Sequence, residues 1–186
     1  MPCNSQFVHM LPTLQAHFDA LEKRRQDFLS EIERFTPEQR SFQPEPGAWS
    51  LSEVAHHLLL VEQGVLGVLA DGGGPPTGRR RIRDWIGSAA VRLVFALGIR
   101  VKVPVRGVRP KAGVPLKEVR RQWDDTRAAL VVYLESITES ALRKPVLRHP
   151  ISGPMDVLQG LVFLGRHFDH HLRQARRIRR AAAFPR

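Results

Sequence analysis

The segment "PMDVLQGLVFLGRHFDHHLRQARRIRR", residues 154–180, carries apolar side chains at Leu158, Leu161, Leu164, Phe168, Leu172 and Ala175. Steps of three and four residues are the period of an amphipathic helix, and no proline interrupts the run after Pro154. The spacing predicts a helix from about Pro154 to Arg180. At 100° per residue from Leu158, the other five apolar residues fall between roughly 240° and 320°, which defines a core face. On the same wheel His171 lies near 220° and His167 near 180°, on the shoulder of that face, while His170 points away near 120°.

Three more segments show the same period. Leu14, Phe18, Leu21, Phe28, Leu29, Ile32 and Phe35 mark a first helix with a charged reverse face in "EKRRQD" and "EIER". It stops before "FTPEQRSFQPEPGAWS", where prolines and a glycine mark a loop. Within that loop, Thr36 followed by Pro37 is suited to open a short helical turn. Ser50 and Glu53 have the spacing of a capping box and start a second helix through Leu51, Val54, Leu58, Val61, Val65 and Leu69, which "DGGGPPTG" ends. A third long helix runs through Leu116, Val119, Trp123, Thr126, Leu130 and Ile137, and "RKPVLRHPISGP" breaks it. Between helices two and three, "RDWIGSAAVRLVFALGIR" reads as an extra helix and "VKVPVRGVRPKAGVP" as an extended, proline-punctuated connection. No alternating strand pattern and no internal repeat is visible.

Four long amphipathic helices bury their stripes against one another as a bundle. The connection between helices two and three is about 45 residues, against about 14 and 16 for the others, long enough to cross the bundle's length. The expected fold is therefore an all-α four-helix bundle, up-down-down-up, with the extra helix along the crossover. The 186 residues suit a single domain spanning 1–186. The extra helix is more apolar than a surface helix needs, so it covers the bundle or meets a second subunit, which would make a homodimer.

The chain contains one cysteine, Cys3, too few for an internal disulfide and read as a loose terminal thiol. The N-terminus lacks the basic-then-apolar pattern of a secretory signal, and the apolar run 89–99 is interrupted by Arg92 and too short for a transmembrane segment. A cytoplasmic protein is expected. The formal net charge of +11 favours anionic partners. A basic protein that binds nucleic acid or an acidic membrane surface is one candidate, resting on "GRRRIRDW" and "RQARRIRR". These runs lack interleaved aromatics and any nucleic-acid-binding signature, so solvated faces are the ordinary reading and no nucleic acid partner is expected.

The i, i+4 pair His167 and His171 can hold one metal ion, as paired histidines on zinc-binding helices do. The same pair also suits a solvated helix edge. Helix two offers a third imidazole in "AHHL": His57 shares its stripe with Val54 and Val61, whereas His56 sits with Leu60 and Gln63. Three neutral imidazoles would bind a divalent ion and leave a coordination position for a substrate. Trp49, just ahead of the capped helix, is placed either to staple the next turn or to wall a pocket beside His57.

"PGAWSLSEVAHHL" is similar to the W-S-x-x-E-x-x-x-H-L opening of helix two in the DinB/YfiT-like superfamily of metal-dependent bundle proteins. "HPISGPMDVLQGLVFLGRHFDHHLRQARRI" is similar to that family's H-P-x-x-G turn and H-x-x-x-H-x-x-Q helix. Nearly the whole chain is covered, residues 77–115 only loosely. The resemblance implies a metal triad at His57, His167 and His171, with His170 not a ligand, and a divalent ion such as zinc or nickel. It also implies a low-molecular-weight thiol as co-substrate, since several relatives transfer bacillithiol, mycothiol or glutathione and one branch isomerises maleylpyruvate.

The expected function is a metal-dependent thiol S-transferase, with a small-molecule thiol and an electrophile as partners. Metal coordination deprotonates a thiol at neutral pH, which gives that chemistry its physical basis. Arg106, Arg109 and Lys111 in the crossover are candidates to hold the thiol's carboxylates, against the ordinary reading of solvated side chains. A metal-dependent hydrolase is the alternative; it calls for a general base, for which Glu62 and Asp169 are the available carboxylates.

Overall fold

The computed structural model of the chain describes residues 9–70, 82–97, 106–149 and 151–186. Cys3, the first half of "GRRRIRDW", the "DGGGPPTG" breaker and residues 98–105 of the crossover lie outside them. The element order is α1 (Pro12–Glu33), α2 (Pro37–Ser41), α3 (Leu51–Ala70), α4 (Ile82–Leu97), a 3-10 turn (Arg106–Val108), α5 (Leu116–Glu135), β1 (Pro145–His149), β2 (Gly153–Asp156) and α6 (Val157–Arg179). The long helices α1, α3, α5 and α6 form a four-helix bundle.

Local chemistry sets the helix starts. Thr36 caps α2 through a capping box with Gln39, and Pro37 occupies the first turn. Ser50 Oγ accepts the Glu53 N–H at 3.3 Å while Glu53 Oε2 accepts the Ser50 N–H at 2.9 Å, fixing the first turn of α3. Asp156 and Gln159 form the same reciprocal pair at α6.

The core has two clusters stacked along the bundle. One joins Phe28, Leu29 and Ile32 near the end of α1, Leu51 to Leu59 at the start of α3, Val119 and Trp123 at the start of α5, and Phe168, Ala175 and Ile178 late in α6. The other joins Leu14 to Leu21 of α1, Leu69 of α3, Leu130 and Leu134 of α5, and Leu161 and Leu164 of α6. The starts of α3 and α5 thus lie beside the ends of α1 and α6, so α3 and α5 run one way and α1 and α6 the other. By length and composition α3 is apolar enough to cross a membrane. Its Leu51, Val54, Leu58 and Leu59 are buried in the bundle core instead.

Three features differ from the sequence expectations. "RKPVLRHPISGP" is more than a breaker: β1 and β2 pair antiparallel, with Leu147 opposite Met155, both buried. The strands are short and proline-containing, and β2 is buried on both faces, so neither shows alternation. The last helix consequently begins at Val157 and not near Pro154. The charged face of α1 is also not uniformly solvated, because Arg25 is buried among carboxylates.

The hairpin fixes α4. Gly153 adopts a φ of 72°, and a side chain there would collide with the Asp84 carboxylate. Gly87 lets α4 rest directly on the Ile151 carbonyl, where a Cβ would lie 2.1 Å from the oxygen. Held in this way against the hairpin and α6, α4 leaves Ile82, Trp85, Ile86 and Leu93 exposed.

Candidate metal centre

The first turns of α3 and the middle of α6 face each other, and three imidazoles meet between them. His57, His167 and His171 are all buried, and their ligand-capable nitrogens lie within 4.8 Å of one another. His57 Nε2 is 3.3 Å from His167 Nε2, and His171 Nε2 is 3.1 Å from the same atom. The i, i+4 spacing on α6 brings two of the rings edge to face at 4.5 Å, and the capped start of α3 brings the third.

Hydrogen bonds on the far side of the rings set their tautomers. His57 Nδ1 lies 2.7 Å from the Val108 carbonyl oxygen, which can only accept, so Nδ1 carries the proton and Nε2 presents a lone pair. His171 Nδ1 lies 2.8 Å from Gln174 Oε1, with the same consequence for its Nε2. A proton on His167 Nε2 can serve one of these lone pairs well, and two inward lone pairs cannot satisfy each other. Such a donor set fits a cation. Zinc–imidazole bonds of 2.0–2.1 Å in a tetrahedron separate neighbouring nitrogens by about 3.3 Å, close to the spacings found here.

Electrostatics agree with that fit. Burial, followed by repulsion from His57, pushes the His171 imidazole down to about 3. Burial holds His167 well below its ordinary value, with the charges of His171 and His57 acting in the same direction. His57 is also lowered by burial, against the opposing pull of the Val108 carbonyl. Buried imidazoles kept neutral near pH 7 have the protonation state a metal ligand needs.

Aromatic rings enclose the cluster. Trp49 lies against His57 with ring centroids 4.7 Å apart and stacks on His171 at 5.9 Å, so it walls the site as well as packing on the core. Phe163 stacks on His167 at 5.9 Å. His56 is buried too, but its Nδ1 accepts the Lys111 backbone N–H at 3.2 Å. Adjacent histidines of α3 thereby anchor the crossover through Val108 and Lys111, a function sequence periodicity does not reveal. The Gln174 contact was visible only as the last letter of the family motif.

His170 corrects the helical-wheel expectation in one respect. It lies outside the three-nitrogen group, yet it is buried, with its ring edge-on to His171 at 5.0 Å. Contacts of α6 with α1, α3, α4 and both strands leave little of its circumference to solvent. The two carboxylates considered as general bases are committed elsewhere. Glu62 accepts from the Trp123 indole at 2.8 Å and from Arg127 at 2.8 Å, and Asp169 pairs with Arg24 at 2.8 Å. Arg109 and Lys111 are exposed, and of the "RQARRIRR" run Arg179 is paired with Glu31.

A family model described as the DinB superfamily matches residues 20–175. The chain belongs to the DinB superfamily. Solved structures agree on the DinB-like bundle. YfiT from Bacillus subtilis, described as a probable metal-dependent hydrolase with an unusual four-helix bundle topology, is 14% identical with a TM-score of 0.62, covering 92% of this chain and 88% of its own. A conserved protein from Enterococcus faecalis is 17% identical with a TM-score of 0.59, over 93% of this chain and 98% of its own. The four-helix bundle protein TT2238 is 21% identical with a TM-score of 0.54, over 88% of this chain and 98% of its own. At these identities the likeness is one of DinB fold. No curated protein matches the chain.

Proposed function

We propose that this chain is a divalent-metal-dependent enzyme that transfers a low-molecular-weight thiol to an electrophile, with His57, His167 and His171 holding the ion. The observation that carries the reading is the neutral three-imidazole cluster with no carboxylate beside it among the three grouped donors. A divalent ion such as zinc or nickel held there supplies Lewis-acid chemistry, lowering the pKa of a thiol or water that reaches it. Loss of a thiol proton in that setting needs no protein base, whereas hydrolysis also calls for a group to manage protons on water and leaving group. Glu62 and Asp169, both ion-paired, are poorly suited to that task.

The chain's own residues have separable tasks. Val108 and Gln174 orient His57 and His171 through their Nδ1 protons. Trp49 and Phe163 shield the imidazoles, which strengthens electrostatic interactions at the site. Arg109 and Lys111, exposed in the segment whose backbone meets the two α3 histidines, would attract a carboxylate-bearing thiol.

Hydrolysis is the second reading, favoured by the description of YfiT as a probable metal-dependent hydrolase. Turnover separates the two. Metal-loaded protein is expected to conjugate a generic electrophile such as 1-chloro-2,4-dinitrobenzene with at least one of bacillithiol, mycothiol and glutathione. Ester or amide cleavage without any thiol-dependent conjugation would overturn the transferase reading.

A further inference from the structure

Beside the imidazoles lies a cleft of about 260 Å³ between α4 and α6. Its walls are mainly apolar, with Trp85 and Val91 of α4, Met155 of β2, and Leu158, Val162 and Phe163 of α6, beside the polar Ser88, Ser152 and Gln159. The close seats of Gly87 on Ile151 and of Asp84 on Gly153 hold α4 at a fixed distance from α6. The concavity is therefore part of the packing. Phe163 belongs to both places: it lines the cleft and stacks on His167 with an interplanar angle of 17°.

Among the described lining residues, one is a cation. Arg166 lines the cleft, is exposed, and makes no hydrogen bond or ion pair with the described residues. Its guanidinium can accept a carboxylate in two parallel hydrogen bonds. A mainly apolar cleft with a few polar groups, one of them charged, is the usual make-up of a small-molecule site.

We propose that this cleft binds the acceptor molecule, a small carboxylate with an aromatic or branched apolar body, its carboxylate on Arg166 and its body along Val162 and Phe163. The volume admits a molecule of roughly a dozen heavy atoms, as far as close packing allows. This names the class of the electrophile and rests on the proposed function for its chemistry, but not for the binding itself.

The test is calorimetric titration of purified full-length chain with 4-phenylbutanoate and with the neutral 4-phenylbutan-1-ol. Wild-type protein is expected to bind the acid about tenfold more tightly than the alcohol, as a charged hydrogen bond at a partly exposed site allows. Arg166→Gln should remove that preference and leave alcohol binding unchanged. Val162→Trp, shown folded by circular dichroism, should abolish both. His57→Ala should bind both probes normally, which separates the cleft from the metal centre. Equal binding of acid and alcohol by wild type, no binding of either at millimolar concentration, or a preference that survives Arg166→Gln would overturn the proposal. So would a dimer in sedimentation that excludes the probe, because a second copy would then occupy the α4 face. Failure of thiol transfer with these binding results intact would count against the proposed function alone.

Discussion

Two buried polar clusters share this bundle, and they are built on opposite rules. Between α1, α3 and α5, Arg25 donates to Glu22 and Asp124, Arg127 donates to Glu62, and the Trp123 indole completes Glu62. Each cation there has a carboxylate. Burial alone would raise Glu22, but the hydrogen bonds of Arg25 and Gln26 with the nearby guanidinium charges hold it below its ordinary value. Fully enclosed, Glu62 is pushed up by burial despite Arg127 and Trp123. Between α3 and α6, by contrast, the imidazoles are alike and neutral, and their inward lone pairs have no counter-charge among themselves. A cluster whose cations each meet a carboxylate holds helices in register; one whose lone pairs converge suits a cation.

That contrast breaks most sharply at His167, which is expected to dominate metal affinity while the ionic cluster does not touch it. His167→Ala should weaken zinc binding well beyond the roughly 10–100-fold that losing a supporting hydrogen bond costs. Competition titration against a chelating dye measures it. The metal-free variant should stay folded, since no charge is left unpaired. The ionic cluster should behave in the reverse manner. Glu62→Ala removes the closer carboxylate of buried Arg127, leaving it Glu22 at 3.6 Å, and is expected to lower unfolding free energy by about 3 kcal/mol in urea titrations. Zinc affinity of the folded fraction should stay as in wild type.

A smaller effect belongs to the orienting residues. Gln174→Ala frees the Nδ1 side of His171 and should reduce zinc affinity by about 10–100-fold with little change in the urea midpoint. A stability loss without an affinity loss would make Gln174 a packing residue. The smallest expected effect is on acidity. His171 is held near 3 in the fold and titrates near 6.5 when unfolded, so the unfolded chain binds the extra proton. Metal-free stability is then fully present above about pH 6.5 and falls as pH drops toward 3. Going from about pH 7 to about pH 6 should cost about 0.7 kcal/mol through His171 alone, seen in urea midpoints of the metal-free protein.

Much of this arrangement is legible in residue spacing because helical periodicity is a local property. The stripes of α1, α3, α5 and α6 and the Ser50–Glu53 cap can be read directly, as can the shared shoulder of His167 and His171. What spacing does not hold is what one helix does to another. Arg25 and Glu62 look like solvated charges on their own helices, and the approach of α5 buries them and brings Asp124 to Arg25 and Trp123 and Arg127 to Glu62. His170 looks outward on a wheel, yet hairpin and α4 join the other helices around α6. The hairpin was hidden because its strands are too short, and too rich in proline, to alternate. His57 separates from His56 only weakly by stripe, and more clearly by what each Nδ1 meets in the crossover.

The most direct measurement is an anomalous difference map at the zinc edge from crystals of the chain grown with zinc and without a polyhistidine tag. One strong peak is expected per chain, about 2.0–2.1 Å from Nε2 of His57, His167 and His171. A peak elsewhere with none between α3 and α6, or one of these three rings turned away from the ion, would contradict the assignment.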